Sequence, residues 1–381
     1  MFDEISDRGH EVIVFRPDEN KLSGNPIETK RGEVSVISVP TGRITKTGKI
    51  IKSINMALLE QRYMRTIKQY LKNPVDLVVY STPPITFVNI IKKLKKEMNC
   101  STYLLLKDIF PQNSVDLGMI REKSILYKIL RRKERALYEI SDRIGCMSPA
   151  NVKYLLEHND FIATSRVHEN PNSIKPSEGQ KTNIRQIPIL KNVTIPANAL
   201  KMIYGGNFGL PQGVNFILEA LKALACRDDV YTVLVGVGTE FDKISRFIQN
   251  EKINNTYLLK SLPKADYIEL LAYMDVGLIF LDHRFTIPNF PSRALDYMDA
   301  GLPIISATDP NTDIGAIIVR AGAGLWCESN DIDGFLTCVD TMKKDEIFRI
   351  SAGEASKQLL LDHYTASPSA DIILDKINES C

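Results

Sequence analysis

From Asn289 the chain reads Asn-Phe-Pro-Ser-Arg-Ala-Leu-Asp-Tyr-Met-Asp-Ala-Gly-Leu-Pro, ending at Pro303. Pro291 suits the first position of a helix, where a missing N–H costs nothing. Gly301 suits the C-terminal cap, and Pro303 prevents continuation. The start of such a helix offers free N–H groups and the positive end of a dipole, a setting for phosphate. Arg293 adds a fixed positive charge in the first turn, which is unfavourable there unless an anion is present. Ser292 and Asp296 are four residues apart and share a face, so the Asp296 carboxylate can accept hydrogen bonds from two ribose hydroxyls. The chemistry implied is the holding of a nucleoside diphosphate. A surface helix with scattered polar residues explains the same residues without any ligand.

Two glycine turns point the same way. Gly205-Gly206-Asn207-Phe208-Gly209, running on to Gln212-Gly213, follows an apolar run, and Val235-Gly236-Val237-Gly238 follows the next one. Glycines after a strand let backbone approach a phosphate, although a plain structural turn uses them equally well. In the first half, Ser81-Thr82-Pro83-Pro84 follows another apolar run, and a proline pair there forces a rigid, extended turn. Two basic runs stand out: Lys92, Lys93, Lys95 and Lys96, and then Lys128, Arg131, Arg132, Lys133 and Arg135. Such runs are commonly solvated faces, while the sharper reading is attachment to an anionic membrane surface.

The elements that must carry these residues are α/β throughout. Short apolar runs at 12–15, 34–39, 77–80, 103–106 and 144–147 predict strands, and helical patterns at 50–70, 87–97 and 124–139 lie between them. Residues 174–200 lack helical periodicity and read as a linker. The same grammar then restarts, with strands at 202–204, 231–235, 257–259, 276–281 and 303–306 and helices at 214–225, 241–251, 265–273, 291–299, 332–342 and 346–360. Alternation of this kind predicts parallel sheets. The expectation is two Rossmann-like doubly wound domains facing a cleft, at 1–185 and 190–365, with 366–381 free to cross back to the first. Met1 to Phe15 reads as the second half of a helix, a cap at Gly9, then a strand. The first strand and glycine loop of a doubly wound domain are therefore expected to be missing from this sequence.

Bulk properties exclude some classes. The net charge of +2 does not suggest a nucleic-acid binder, and no apolar run approaches the roughly 18 residues of a membrane span. The six cysteines are scattered without a Cys-x-x-Cys pair, and the five histidines are dispersed. Neither a zinc site nor a disulfide framework is expected, and a cytoplasmic setting is.

At Asn289–Pro303, Gly205–Gly213 and Lys107–Pro111 the chain resembles the family 4 glycosyltransferases of the GT-B fold. The ending Met298-Asp299-Ala300-Gly301-Leu302-Pro303 resembles the family's Met-x-x-Gly-x-Pro. Asp296 takes the place of its second glutamate, and Pro288 falls where the first acidic residue stands. Pro291-Ser292-Arg293 resembles the Pro-Ser-Lys variant of a fucosamine-transferase-like branch acting in surface-polysaccharide synthesis. Lys107-Asp108-Ile109-Phe110-Pro111 resembles that branch's Arg-Asp-x-Trp-Pro, and Asn170-Pro171-Asn172-Ser173 its Pro-Asn hinge motif.

The resemblance implies transfer of a hexose-type sugar from a nucleoside diphosphate sugar, with UDP favoured, to a saccharide or lipid-linked saccharide, with retention and without a metal or other cofactor. It implies donor binding by Gly206, Asn207, Gln212, Gly213, Gly238, Ser292, Arg293 and Asp296, a catalytic role for Asp108, and an acceptor cleft lined by Ser81, Pro83, Lys107 and Asn172. It also implies O-antigen, lipopolysaccharide or capsule synthesis at the inner face of the membrane. Two rivals stay open: a nucleotide-sugar 2-epimerase on the same fold, and a non-catalytic partner subunit.

Overall fold

The computed structural model describes residues 1–44, 49–177 and 195–378. The boundary expected between 185 and 190, and residues 379–381, lie outside them.

The first half opens with α1 (Phe2–Asp7), β1 (Ile13–Asp18), the hairpin β2 (Ile27–Arg31) and β3 (Val34–Pro40), and the long α2 (Lys49–Tyr70). It continues with β4 (Leu77–Ser81), α3 (Val88–Met98), β5 (Ser101–Leu106), α4 (Gln112–Asp116), α5 (Ile125–Ile140), β6 (Arg143–Cys146), α6 (Pro149–Glu157) and β7 (Val167–Glu169). Its strands form two sheets, ordered β1-β3-β2 and β4-β5-β6-β7. All pairs are parallel except β2 with β3. That antiparallel edge corrects the expectation of parallel pairing throughout. Gly32, at φ +58°, turns the chain back after Arg31, and all five residues of β2 are exposed, so no apolar pattern marks the strand.

The second half is one six-stranded parallel sheet, built from β8 (Leu200–Asn207), β9 (Val230–Val237), β10 (Thr256–Leu259), β11 (Val276–Phe280), β12 (Ile304–Thr308) and β13 (Gly324–Glu328) in the order β10-β9-β8-β11-β12-β13. Helices α7 (Val214–Leu224), α8 (Phe241–Asn250), α9 (Lys264–Tyr273), α10 (Arg293–Asp299), α11 (Ile314–Arg320), α12 (Ile332–Lys344) and α13 (Glu346–His363) cover its two faces. All five residues of β11 and of β12 are buried, as expected for central strands of a sheet covered on both sides. The two cores contain Tyr204, Phe208, Phe280 and Phe335 on one face and Ile203, Ile279, Tyr297 and Leu360 on the other. Asp275 is structural: it bonds the Lys201 N–H at 2.8 Å and pairs with the Lys201 ammonium at 2.9 Å.

The last helix, α14 (Ala366–Asn378), returns to the first half. Its Ile373 and Ile377 pack with Tyr103 and Leu105 of β5. Arg8 donates to Asp371 and Ser367 at 2.8 Å each. Asn170, fully buried after β7, donates to the Tyr103 hydroxyl at 2.9 Å and accepts from Ser369 at 2.6 Å.

The loop after β11 joins the halves. Leu281, Phe285 and Ile287 enter the core of the first half beside Leu104, Ile109 and Leu137. Asn151 donates to the Pro288 carbonyl at 2.9 Å, the Ala150 N–H donates to Asp313 at 2.9 Å, and Thr286 bonds Asp116 through its N–H at 2.8 Å. The proline at the position of the family's first acidic residue thus lends its carbonyl to the contact between halves.

Candidate donor and acceptor site

The second half brings its loops together where β8, β9 and β11 end. Gly206 and Gly236 are partners across β8 and β9. Both have positive φ, +148° and +155°, and a Cβ on Gly236 would overlap the Gly206 carbonyl. A Cβ on Gly238 would overlap the Phe208 carbonyl. The two turns are bonded to each other, Phe208 N–H to Val237 O and Glu240 N–H to Phe208 O, at 2.9 Å each. Backbone contact this close excludes side chains, which is why both turns are glycine-rich. Gln212 is buried; its carbonyl accepts from the Gly209 N–H at 3.1 Å and from the Asn207 amide at 3.4 Å. Gly213, at φ +58°, lies so close to β11 that a Cβ would stand 3.1 Å from Leu281 O. Gln212 and Gly213 therefore shape the loop, while Gly206 and Asn207 are exposed at its start.

Arg293 lies over this loop. Its guanidinium sits over the Tyr204 ring at 4.5 Å, and a Cβ on Gly206 would stand 3.1 Å from it. Tyr204 is itself fixed by donating to Asn207 O at 2.8 Å. One guanidinium nitrogen, Nη1, is buried with no hydrogen-bond partner. A buried charged donor left unpaired is costly, and an anion at the loop would satisfy it.

The helix beneath is shorter than the sequence suggests. It begins at Arg293, so Pro291 precedes it and does not occupy its first position. The turn ahead of it is tighter than α: Ala294 N–H bonds Pro291 O and Leu295 N–H bonds Ser292 O, both three residues back. The other end is as expected, with Gly301 at φ +69° and Leu302 N–H on Tyr297 O at 2.9 Å. Ser292 and Asp296 are exposed. Although the residue keeps an exposed face, partial desolvation of its carboxyl group raises the Asp296 pKa, against the pull of Lys264. Lys264 opens α9, just past the 260–263 loop after β10.

In the first half the strand ends present a second cluster. Thr82, buried after β4, donates to the Asp108 carbonyl at 3.0 Å and accepts from the N–H groups of Lys107 and Asp108 at 3.1 and 3.2 Å. This hydroxyl fixes the backbone at the end of β5. The sequence reading names its neighbours Ser81 and Pro83 and misses it, because its partners lie some 25 residues away. Ser81 belongs to β4, paired with Leu105, and Pro83 is exposed. Burial pushes the Asp108 carboxyl up to about 6, with Lys107 opposing. Desolvation lowers the Lys107 pKa. Lys107 and Asn172 line one recess of about 400 Å³, together with Arg16, Leu105 and Met147. Asp309, buried after β12 and bonded to Thr312, is likewise pushed up to about 6 by burial. Its neighbour Asn311 bonds Phe285 O at 2.7 Å, so this turn supports the loop between the halves.

Comparison with known proteins decides the class. Residues 187–359 match the family described as Glycosyl transferases group 1. The chain carries a group 1 glycosyltransferase domain, and it is a transferase enzyme. It is similar to a probable glycosyltransferase, WbjE, of Pseudomonas aeruginosa, 24% identical over 296 residues covering 76% of this chain and 71% of that protein. In fold it is GT-B. It superposes on sucrose-phosphate synthase from Thermosynechococcus elongatus with a TM-score of 0.77 at 13% identity, over 99% of this chain and 91% of that one. A structure described as trehalose-6-phosphate from E. coli bound with UDP-2-fluoro glucose gives 0.75 at 12% identity, over 98% and 94%.

Proposed function

We propose that this transferase moves a hexose-type sugar from a nucleoside diphosphate sugar, a UDP-sugar by preference, to a saccharide acceptor with retention at the anomeric carbon. The observation that carries this reading is the buried, unpartnered Nη1 of Arg293 above the exposed Gly206–Asn207 turn. Arg293 and the backbone N–H groups of that turn would hold the diphosphate, with Ser292 beside it and Asp296 on the ribose. Gln212, Gly213 and Gly238 keep the loop in shape. As the bond from the anomeric carbon to the diphosphate oxygen breaks, its electron pair stays on the diphosphate. Fixed positive charge in a partly desolvated site stabilises that developing charge.

The acceptor hydroxyl forms the new bond and gives up its proton. Asp108, mostly ionised at neutral pH with a pKa near 6, is our catalytic candidate on the acceptor side, with Ser81, Pro83, Lys107 and Asn172 forming the cleft wall. We take 1–185 as the acceptor domain and 190–365 as the donor domain. The UDP-2-fluoro glucose bound in the E. coli structure of the same fold supports the base chosen. The resemblance to the fucosamine-transferase-like branch of family 4 supports a lipid-linked acceptor in O-antigen or capsule synthesis, and a place at the inner face of the membrane with the Lys128–Arg135 run toward it.

The test is release of nucleoside diphosphate from a panel of UDP-, GDP- and dTDP-sugars supplied with saccharide acceptors. Turnover of one donor, reduced by about two to three orders of magnitude in Arg293→Met, supports the reading. A folded protein that turns over none and binds no nucleotide refutes it.

A further inference from the structure

Helix α5 is packed along its second half and bare at its start. Glu134, Leu137 and Tyr138 are buried, and Tyr138 donates to Glu134 at 2.7 Å while Arg131 pairs with the same carboxylate. At the other end Ile125 is 80% exposed, Leu126 54% and Ile129 51%, and Met119 in the preceding turn is 64% exposed. Single exposed apolar residues need no explanation. Three on the first five residues of one helix, with a fourth six residues before it, form a patch.

The patch is set in positive charge. Residues 121–133 hold six basic side chains against one acidic, Glu122. Arg121, Lys123, Lys128, Arg132 and Lys133 are exposed, and none has an ion-pair partner among the described residues. Residues three and four apart are neighbours on a helix surface, so Ile125 lies beside Lys128 and Ile129, and Ile129 beside Arg132 and Lys133. The other basic run is different: Lys95 is bound to Asp142 at 2.5 Å and Lys93 to Glu97 at 3.5 Å, and α3 buries its apolar residues Ile90, Ile91 and Leu94.

We infer that the start of α5, with Met119, docks on an anionic lipid surface, its four apolar side chains entering the headgroup boundary and its cations meeting the lipid phosphates. Aliphatic side chains inside a basic ring suit a bilayer, which takes both at once. A nucleic acid would call for stacking aromatics instead. The position also fits a lipid-linked acceptor, and to that extent the inference rests on the proposed function. Met119 follows directly on α4, where Asp116 holds Thr286 of the other half and which begins four residues after Asp108. The turn is fixed by Met119 N–H on Ser114 O at 2.8 Å. The docking surface and the acceptor-side carboxylate therefore share one short, well-anchored stretch of chain.

The experiment is flotation of the whole chain with phosphatidylcholine vesicles and with vesicles containing about a third phosphatidylglycerol, alongside light scattering and UDP thermal shift. Wild type should float with the anionic vesicles only, and added salt should weaken it. Ile125→Asp with Ile129→Asp, both at exposed positions, and separately Lys128→Gln with Lys133→Gln, should each reduce binding about tenfold or more. Lys92→Gln with Lys96→Gln should leave it unchanged. All variants should keep the nucleotide response of wild type, so failure of the donor site and failure of the docking surface are read separately. No flotation of wild type, or flotation indifferent to the Ile125 and Ile129 changes, overturns the inference. So does a dimer that those changes convert to a monomer, which would assign the patch to a second copy.

Discussion

The Arg293 guanidinium lies over the Tyr204 ring, with its edge so close to Gly206 that a methyl group there would stand 3.1 Å away. Gly206 also holds φ +148°, where an L-residue is strained. Position 206 therefore has no room for a side chain without moving the cation. Gly206→Ala should raise the KM for the sugar nucleotide by about tenfold or more, with a melting temperature within a few degrees of wild type. Steady-state kinetics with varied donor checks this, and an unchanged KM would separate the loop from the donor.

Arg293→Lys should not substitute for arginine. The forked guanidinium over its aromatic ring reaches two acceptors at once and an ammonium does not. A loss in kcat/KM of about two to three orders of magnitude is expected, in the range of removing one fixed donor to a developing oxyanion, and close to that of Arg293→Met.

Thr82 binds the peptide of Lys107 and Asp108 through three hydrogen bonds. Thr82→Val keeps the shape and removes the hydroxyl, leaving two N–H groups without their acceptor. It should cost about 1–3 kcal/mol in urea unfolding and lower kcat as Asp108 loses its position. Thr82→Ser should recover most of both, and equal defects in the two variants would contradict the assignment.

The pH dependence follows from Asp108. Burial raises its pKa to about 6 and Lys107 pulls it down. If its ionised form serves the acceptor, kcat/KM should climb with pH through a limb near 6 and level off above it. Lys107→Met removes the opposing cation, so the limb should move up. For stability the sign is reversed. A carboxyl whose folded pKa is raised favours folding fully below its unfolded value, about 4, and that contribution is lost as pH rises through about 6. Asp309, also pushed up to about 6, adds to the same trend, and Asp309→Asn should flatten it in a pH series of melting temperatures.

Much of this was legible in the residues, and for physical reasons. The apolar runs at β4, β5 and β11 are strands whose sequence needs no distant information. Gly301 and Pro303 mark a helix end by local chemistry alone. The pattern fails where a partner elsewhere defines the element. The strand β2 is polar and exists through its pairing with β3, and β13 begins at Gly324, held against Ile304 of β12. Helix α6 carries its signal openly, Ser148 capping the N–H of Asn151 with Pro149 next, although it is absent from the helices the pattern predicts. At the site, the glycine turns and Arg293 announce themselves by type. Thr82, and the parts played by Asn170 and by the Pro288 carbonyl, depend on contacts between distant segments, which no local pattern records.

The most direct test of the donor site is a thermal-shift panel of UDP, GDP, dTDP and CMP on wild type, Arg293→Met and Asp296→Ala. A ligand that binds the folded state raises the melting temperature by mass action. The account predicts stabilisation by UDP that is lost in Arg293→Met and reduced in Asp296→Ala. A well-folded wild type that shifts with none of the four, or shifts equally in all three proteins, would contradict it.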